Sequence, residues 1–290
     1  VSAIHHWFDS NQSTRAGEKG IDWPRIVPFI LLHLSCLAAF WTGVSAVALI
    51  VAIGLYAVRM FAITAFYHRY FSHRTFRTSR VAQFAFAALG ASAVQRGPLW
   101  WAAHHRHHHA HSDEPLDRHS ARQHGFMRSH IGWFLSRENF ATRSELVADL
   151  HRYPELRFLD RFDILMPVLL AVVLFVAGGW QLLVWGFSIS TVVLYHATFT
   201  INSLAHVFGR RRYATKDDSR NNALLAVLTF GEGWHNNHHH FPGSVRQGFY
   251  WWEIDLTYYL LRTLSALGVI WDLKTVPANI RAARRVPETA

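Results

Sequence analysis

The sequence predicts an all-α integral membrane protein, with four transmembrane helices in two hairpins under a helical cytosolic cap. Three observations carry that expectation. Long apolar runs come in pairs around short turns. Basic residues avoid those turns and gather in the other segments. The histidines fall into spaced clusters, and every cluster lies in those same basic segments.

Composition agrees with a chain of two populations. Hydrophobic residues make up 51% of its 290 residues, yet mean hydropathy is only +0.07, because a polar, His- and Arg-rich remainder offsets the apolar runs. The single cysteine, Cys36, lies inside an apolar run, so neither an internal disulfide nor a thiolate metal cage is available. A net charge of +10 suits either nucleic acid or a membrane surface. Its distribution around apolar runs selects the membrane, and no nucleic-acid partner is expected. Residues 1–25 read as an interfacial lead-in. They carry His5, His6, Asp9 and Glu18 ahead of any apolar run, which is not the pattern of a cleavable signal.

The first hairpin joins spans at about 26–41 and 44–66 through Thr42-Gly43, and the second joins 162–177 to 180–205 through Gly178-Gly179. Each run approaches the roughly 20 residues that cross about 30 Å of hydrocarbon. Neither turn has Lys or Arg beside it, so both turns are expected outside. The termini and the segments 67–160 and 207–290 are then expected to form the cytosolic cap of one domain, residues 1–290. The apolar stretch 81–94 is too short to span and reads as a helix lying on the membrane or under the cap. The aromatic stretch 249–270, interrupted by Glu253, Asp255 and Arg262, reads as an amphipathic interfacial helix.

The cap holds the chemistry. His235, His238 and His239 stand at relative positions 0, 3 and 4, which share one face of a helix. The run 104–109 contains the same pattern twice, as His104, His107, His108 and as His105, His108, His109, and periodicity does not choose between them. His68 and His73 precede both. His206 ends the fourth span, with Asn202 four residues earlier on the same helix face. Three clusters give eight imidazoles and His206 a ninth. That is too many for one tetrahedral zinc and suits two metals of higher coordination number. Imidazole alone does not separate iron from zinc or copper. Placement at the mouth of an apolar stem suggests a hydrocarbon substrate, and breaking an unactivated C–H bond with O₂ selects iron. His107, His111, His119, His124, His130, His196 and His240 read as surface or supporting residues.

At these residues the chain resembles the membrane fatty acyl desaturases, specifically the Δ9-type acyl-CoA desaturases of the bacterial branch. The likeness runs from about residue 50 to 272. It rests on His68-Arg69-Tyr70-Phe71-Ser72-His73, Trp101-Ala102 with His105-Arg106-His107-His108-His109, Ser129-His130-Ile131-Gly132-Trp133, Asn202-Ser203-Leu204-Ala205-His206, Gly231-Glu232-Gly233-Trp234-His235-Asn236-Asn237-His238-His239 and Trp251-Trp252-Glu253-Ile254-Asp255. The resemblance implies two iron ions that use O₂ and two electrons to place a cis double bond in a saturated long-chain acyl group. It implies ligands at His68, His73, His105, His108, His109, His206, His235, His238 and His239, with Asn202 acting through water. An Arg after the first ligand of the second box selects His105 over His104. No haem or flavin module is visible, so a separate electron carrier is implied, such as a ferredoxin, a rubredoxin or a cytochrome b-type protein with its reductase. Trp101 and Trp234 are candidate walls for the acyl chain or interfacial anchors, and Arg96 and Arg137 are candidate contacts for an acyl-CoA head group or plain solvated or lipid-facing cations. Departures fall there: Glu138 follows Arg137, Ala103 sits where a basic residue is common, and Arg96 where an amide is. Acyl carrier protein and phospholipid therefore stay open as carriers. The competing readings are a di-iron alkane or fatty acid hydroxylase and, more distantly, a metal transporter. A transporter predicts polar groups within the spans, which offer little beyond His33, Arg59 and His196.

Overall fold

Helices dominate the computed structural model, which describes residues 5–10 and 20–286; much of the expected lead-in at 1–25 therefore lies outside the described residues. The chain divides into two interleaved compact units. One comprises residues 1–63, 84–101 and 134–196, and the other 64–83, 102–133 and 197–290.

In the first unit, α1 (Trp23–Ser35) continues through a 3₁₀ turn to Thr42 and stops at Gly43, whose φ of 64° is left-handed. Ser45 then caps α2 (Ala46–Phe61), its Oγ accepting from the Ala48 amide at 3.1 Å. α3 (Pro98–His111) opens at the edge of this unit, and α4 (Leu165–Leu182) is followed by a π-helical stretch and α5 (Ser190–Ser203). Small residues mark the close approaches. A Cβ on Gly186 would meet Val51 and Leu174 at about 3 Å, and Ala48 and Ala52 are buried.

Two helical elements are long and apolar enough to cross a membrane, Ala46–Ser72 and Leu165–His206, where four were expected. The first expected span falls short because Ile26–Thr42 is a shorter apolar helix of 10–17 residues. The third and fourth follow each other as one element, interrupted by a kink at Gly178-Gly179. That element has 42 residues, about twice what one crossing needs. It is not straight: Gly178 (φ −160°, ψ 26°) and Gly179 (φ 60°, ψ −152°) leave helical geometry, and the segments on either side pack back on each other. The two predicted turns lie side by side. Gln181 donates to the Thr42 carbonyl at 3.0 Å, Trp185 to the Gly43 carbonyl at 2.8 Å, and Ser45 Oγ to Gln181 at 2.7 Å. Only 11% of the most apolar window of Leu165–His206 is buried. A soluble core helix would be covered, so this face needs a non-aqueous surrounding.

Inside that apolar packing, Arg59 is buried with no carboxylate partner among the described residues. Its guanidinium donates to Thr191 Oγ1 and Ser190 Oγ, both at 2.6 Å, and to the Ser92 and Leu55 carbonyls. Asp160 fixes the start of α3. Its carboxylate accepts from the Leu99 and Trp100 amides at 2.9 and 2.8 Å and from Thr142 at 2.7 Å. Burial pushes the Asp160 carboxyl up to about 6. Between about pH 6 and the unfolded value near 4, the folded protein holds a proton that the unfolded chain has released. Stability contributed at Asp160 therefore rises as pH falls through that window. The thermal midpoint of the parent should gain on that of Asp160→Asn between pH 7 and pH 5; parallel profiles would contradict this.

In the second unit, residues Ala62–Ser72 form a π-helix, β1 (Arg77–Thr78) pairs antiparallel with β2 (Ile270–Trp271), and α6 (His235–His240) and α7 (Leu256–Ala266) follow the fourth span. The expected interfacial helix over 249–270 is shorter than predicted. Asp255 caps α7 through the Tyr258 amide, and Glu253 and Asp255 are fully buried, so these charges are internal ties and not a polar face. Likewise the predicted 81–94 helix is an α-helix over Arg80–Ala91.

Candidate metal centre

The second unit gathers nine imidazoles into two adjoining groups. His68, His73, His105, His109 and His238 form one; His108, His206, His235 and His239 form the other, and the offered nitrogens within each group lie within 4.8 Å of one another. Backbone geometry explains each contribution. Five residues of α-helix would turn His73 about 140° away from His68. The π-helix instead bonds i to i+5: the His73 amide donates to the His68 carbonyl at 3.3 Å, and the two rings sit 4.9 Å apart. α3 and α6 each serve both groups, in opposite senses. On α3 the residues at 0 and 4, His105 and His109, join the first group and His108 the second. On α6 the residues at 0 and 4, His235 and His239, join the second group and His238 the first. His104 belongs to neither; it is buried with its ring 5.6 Å from that of Trp133.

Gly231 precedes α6 at φ 122°, and a Cβ there would collide with the Asp255 carboxylate. The Gly-Glu-Gly start of the third box is thus a requirement of close approach.

Carboxylates orient the rings. Nδ1 of His108 donates to Asp117 at 3.0 Å, that of His206 to Asp113 at 2.8 Å and that of His239 to Asp217 at 2.8 Å, while Glu232 holds His68 Nδ1. Each pairing leaves Nε2 directed inward, as in carboxylate–histidine–metal triads. These four acids were missed in the sequence, where only their nearness to the His runs signals them. The third compact set, His108, Asp117 and His119, is the outer layer of the second group, with His119 stacked on His108 at 4.3 Å.

The arrangement fits metal ions better than hydrogen bonds. The Nε2 atoms of His68 and His238 lie 3.0 Å apart, His238 and His109 2.9 Å, His73 and His105 2.8 Å, and His206 and His235 3.0 Å. With metal–nitrogen bonds of about 2.1 Å, neighbouring octahedral ligands stand about 3.0 Å apart. Buried Nε2 of His239 has no hydrogen-bond partner among the described residues. Burial, followed by the neighbouring imidazoles, holds His73, His105, His109, His235 and His238 well below the ordinary histidine value, and burial holds His239 at about 4 despite Asp217. Neutral imidazole is the ligating form. Asp113, Asp117 and Asp217 are held far below the usual carboxylate range by their histidine partners, against burial. Replacing Asp217 with Ala should weaken metal binding at the second group by about 10–100-fold, measured by competition with a chelator; unchanged affinity would contradict the orienting role.

The remaining candidates are more dispersed. Asn202 is half-buried, and its carbonyl accepts from Ser129 at 2.8 Å. Trp101 donates to Gln95 at 3.4 Å in the first unit, and Trp234 to the Ile254 carbonyl at 2.8 Å in the second. Arg96 is committed internally, ion-paired to Asp163 at 2.8 Å and bonded to the Phe140 carbonyl. Arg137 is half-buried. His33 and His196 face each other at 3.3 Å in the first unit, and His130 bonds Ser203 at 3.0 Å.

Comparison with known proteins gives the setting for this geometry. The fatty acid desaturase family model matches residues 39–271. A palmitoyl-monogalactosyldiacylglycerol delta-7 desaturase of Arabidopsis thaliana is 40% identical over 92% of this chain and 72% of its own length. An sn-2 palmitoyl-lipid 9-desaturase of a Nostoc species is 37% identical over 93% of this chain and 96% of its own. An acyl-CoA C20 delta-5 desaturase of Anemone leveillei is 39% identical over 86% and 80%.

Proposed function

This chain belongs to the fatty acid desaturase family, and on that premise we propose that it places a cis double bond at the Δ9 position of a saturated long-chain acyl group. The double gathering of nine imidazoles is the observation that carries the reading. His68, His73, His105, His109 and His238 would hold one iron ion, and His108, His206, His235 and His239 the other, with Asn202 near the second through water. Bound there, the metals supply O₂ activation for removing hydrogen from two adjacent methylenes. The chain's own residues do the rest. Asp113, Asp117, Asp217 and Glu232 keep the rings oriented, burial keeps His73, His105, His109, His235, His238 and His239 neutral, and the packed shell excludes bulk water. Trp101 and Trp234 are proposed to line the acyl chain, and Arg96, held by Asp163, and Arg137 to meet its head group. Overall, the acyl chain, O₂, two electrons and two protons yield the alkene and two waters.

Relatives named for acyl-lipid and for acyl-CoA substrates are each 40% identical, which supports an intact lipid beside the expected coenzyme A ester as carrier. Paired turns at 42–45 and 178–181, bare of basic residues, support four crossings with both termini and the site cytoplasmic in a bacterial inner membrane. A C-terminal reporter should read cytoplasmic, and an external reading would overturn that topology. Mass spectrometry of fatty acids from cells expressing the chain tests the activity itself. Loss of two hydrogens at Δ9 is expected; a hydroxylated product would favour the hydroxylase reading.

A further inference from the structure

The back of the ligand helix α6 carries a basic edge that the proposed function leaves unused. Between His235 and His238, Asn236 accepts from the backbone amides of Arg212 and Tyr213 at 2.8 and 2.7 Å and donates to the Tyr213 carbonyl at 3.1 Å. At the end of the same helix, His240 stacks on Tyr213, centroids 3.9 Å apart and planes 3° from parallel, and bonds the Ile280 carbonyl at 2.8 Å. Residues 284–286 run alongside 212–214 through paired backbone hydrogen bonds. One layer of chain therefore separates His239 from a surface bearing Arg281, Arg284 and Arg285. All three are exposed, and none makes an ion pair among the described residues. The guanidinium groups of Arg212, Arg281 and Arg285 lie 4.7, 5.6 and 5.4 Å from the Tyr250 ring, and Tyr250 stacks on Trp252 at 4.7 Å.

We propose that this edge is the docking surface for an acidic one-electron carrier protein. The proposal rests on the desaturase reading, which requires two electrons per double bond. Each docking event oxidises the reduced carrier by one electron. Two such events, with O₂, two protons and the saturated chain, balance one alkene and two waters. Charge complementarity selects an acidic partner, and Arg, Tyr and Trp together are the residues that dominate protein interfaces. A lipid surface fits less well. Between residues 273 and 286, Val286 is the only large apolar side chain exposed, and the exposed Trp252 is stacked on Tyr250 within the patch, whereas the second unit's aliphatic exposure lies at residues such as Leu224, Val227 and Leu260.

The test uses the full chain, metal-loaded, in nanodiscs of neutral lipid, with a plant-type ferredoxin and a cytochrome b5 as probes. For the carrier that binds, affinity should fall as salt rises, and by at least about tenfold on changing R281E/R284E/R285E together. The milder R281Q/R284Q/R285Q should lose part of it, and Arg262→Glu on α7 none. Desaturation driven by dithionite should be the same in every variant. Binding equal in parent and triple variant, or absent from both with either probe, overturns the proposal. So does a triple variant whose only defect appears when anionic lipid is added, which would make the edge a lipid contact. Loss of dithionite-driven desaturation in the parent itself would instead refute the underlying desaturase reading.

Discussion

Replacing His206 with Ala is expected to abolish double-bond formation and to remove one metal ion per chain, while the protein should still insert and fold. His206 contributes one of only four imidazoles to the second group, and its Nε2 sits 3.0 Å from that of His235. The first group keeps all five of its ligands. Asp113, which loses its histidine, still accepts from Ser120 at 2.6 Å and from the Asp218 amide at 2.8 Å, so the cap has no new unsatisfied charge. Metal analysis alongside fatty-acid profiling reads both effects. Full activity with both ions retained would remove His206 from the ligand set.

The second large effect is structural. Arg69 is 1% exposed and lies between two buried acids. It donates to Asp255 at 3.0 Å, to Glu232 at 3.1 Å and to the Val245 carbonyl at 2.8 Å. Glu232 in turn holds His68, and Asp255 caps α7 and bonds the Gln247 amide. Changing Arg69 to Met strands both carboxylates, at about 3–5 kcal/mol, a large part of a typical folding stability of about 5–15 kcal/mol. Folded protein recovered after detergent extraction should fall sharply, and Arg69→Lys, which keeps the charge without the planar fork, should fall between. A thermal midpoint unchanged in Arg69→Met would contradict the account.

The parts legible in the sequence were those governed by local periodicity. The 0, 3, 4 spacing places His235, His238 and His239 on one helix, and hydropathy with Gly178-Gly179 marks the second hairpin turn. Periodicity could not say that α3 and α6 divide their histidines between two groups in opposite senses, because that depends on how the helices cross. Nor could it explain His68 and His73. Their spacing is wrong for an α-helical face and becomes right only in the π-helix over Ala62–Ser72. The orienting acids Asp113, Asp117, Asp217 and Glu232 follow no fixed interval from their partners and emerge only from tertiary contacts. For Arg96, expected to contact the head group, the sequence did not reveal its ion pair to Asp163, 67 residues away in the chain.

The metal content of the purified full chain tests the central claim most directly. Two groups of five and four imidazoles predict two iron ions per chain, with one lost in His206→Ala. A chain that holds a single ion when fully loaded, or that retains both ions without His206, would contradict the two-centre account.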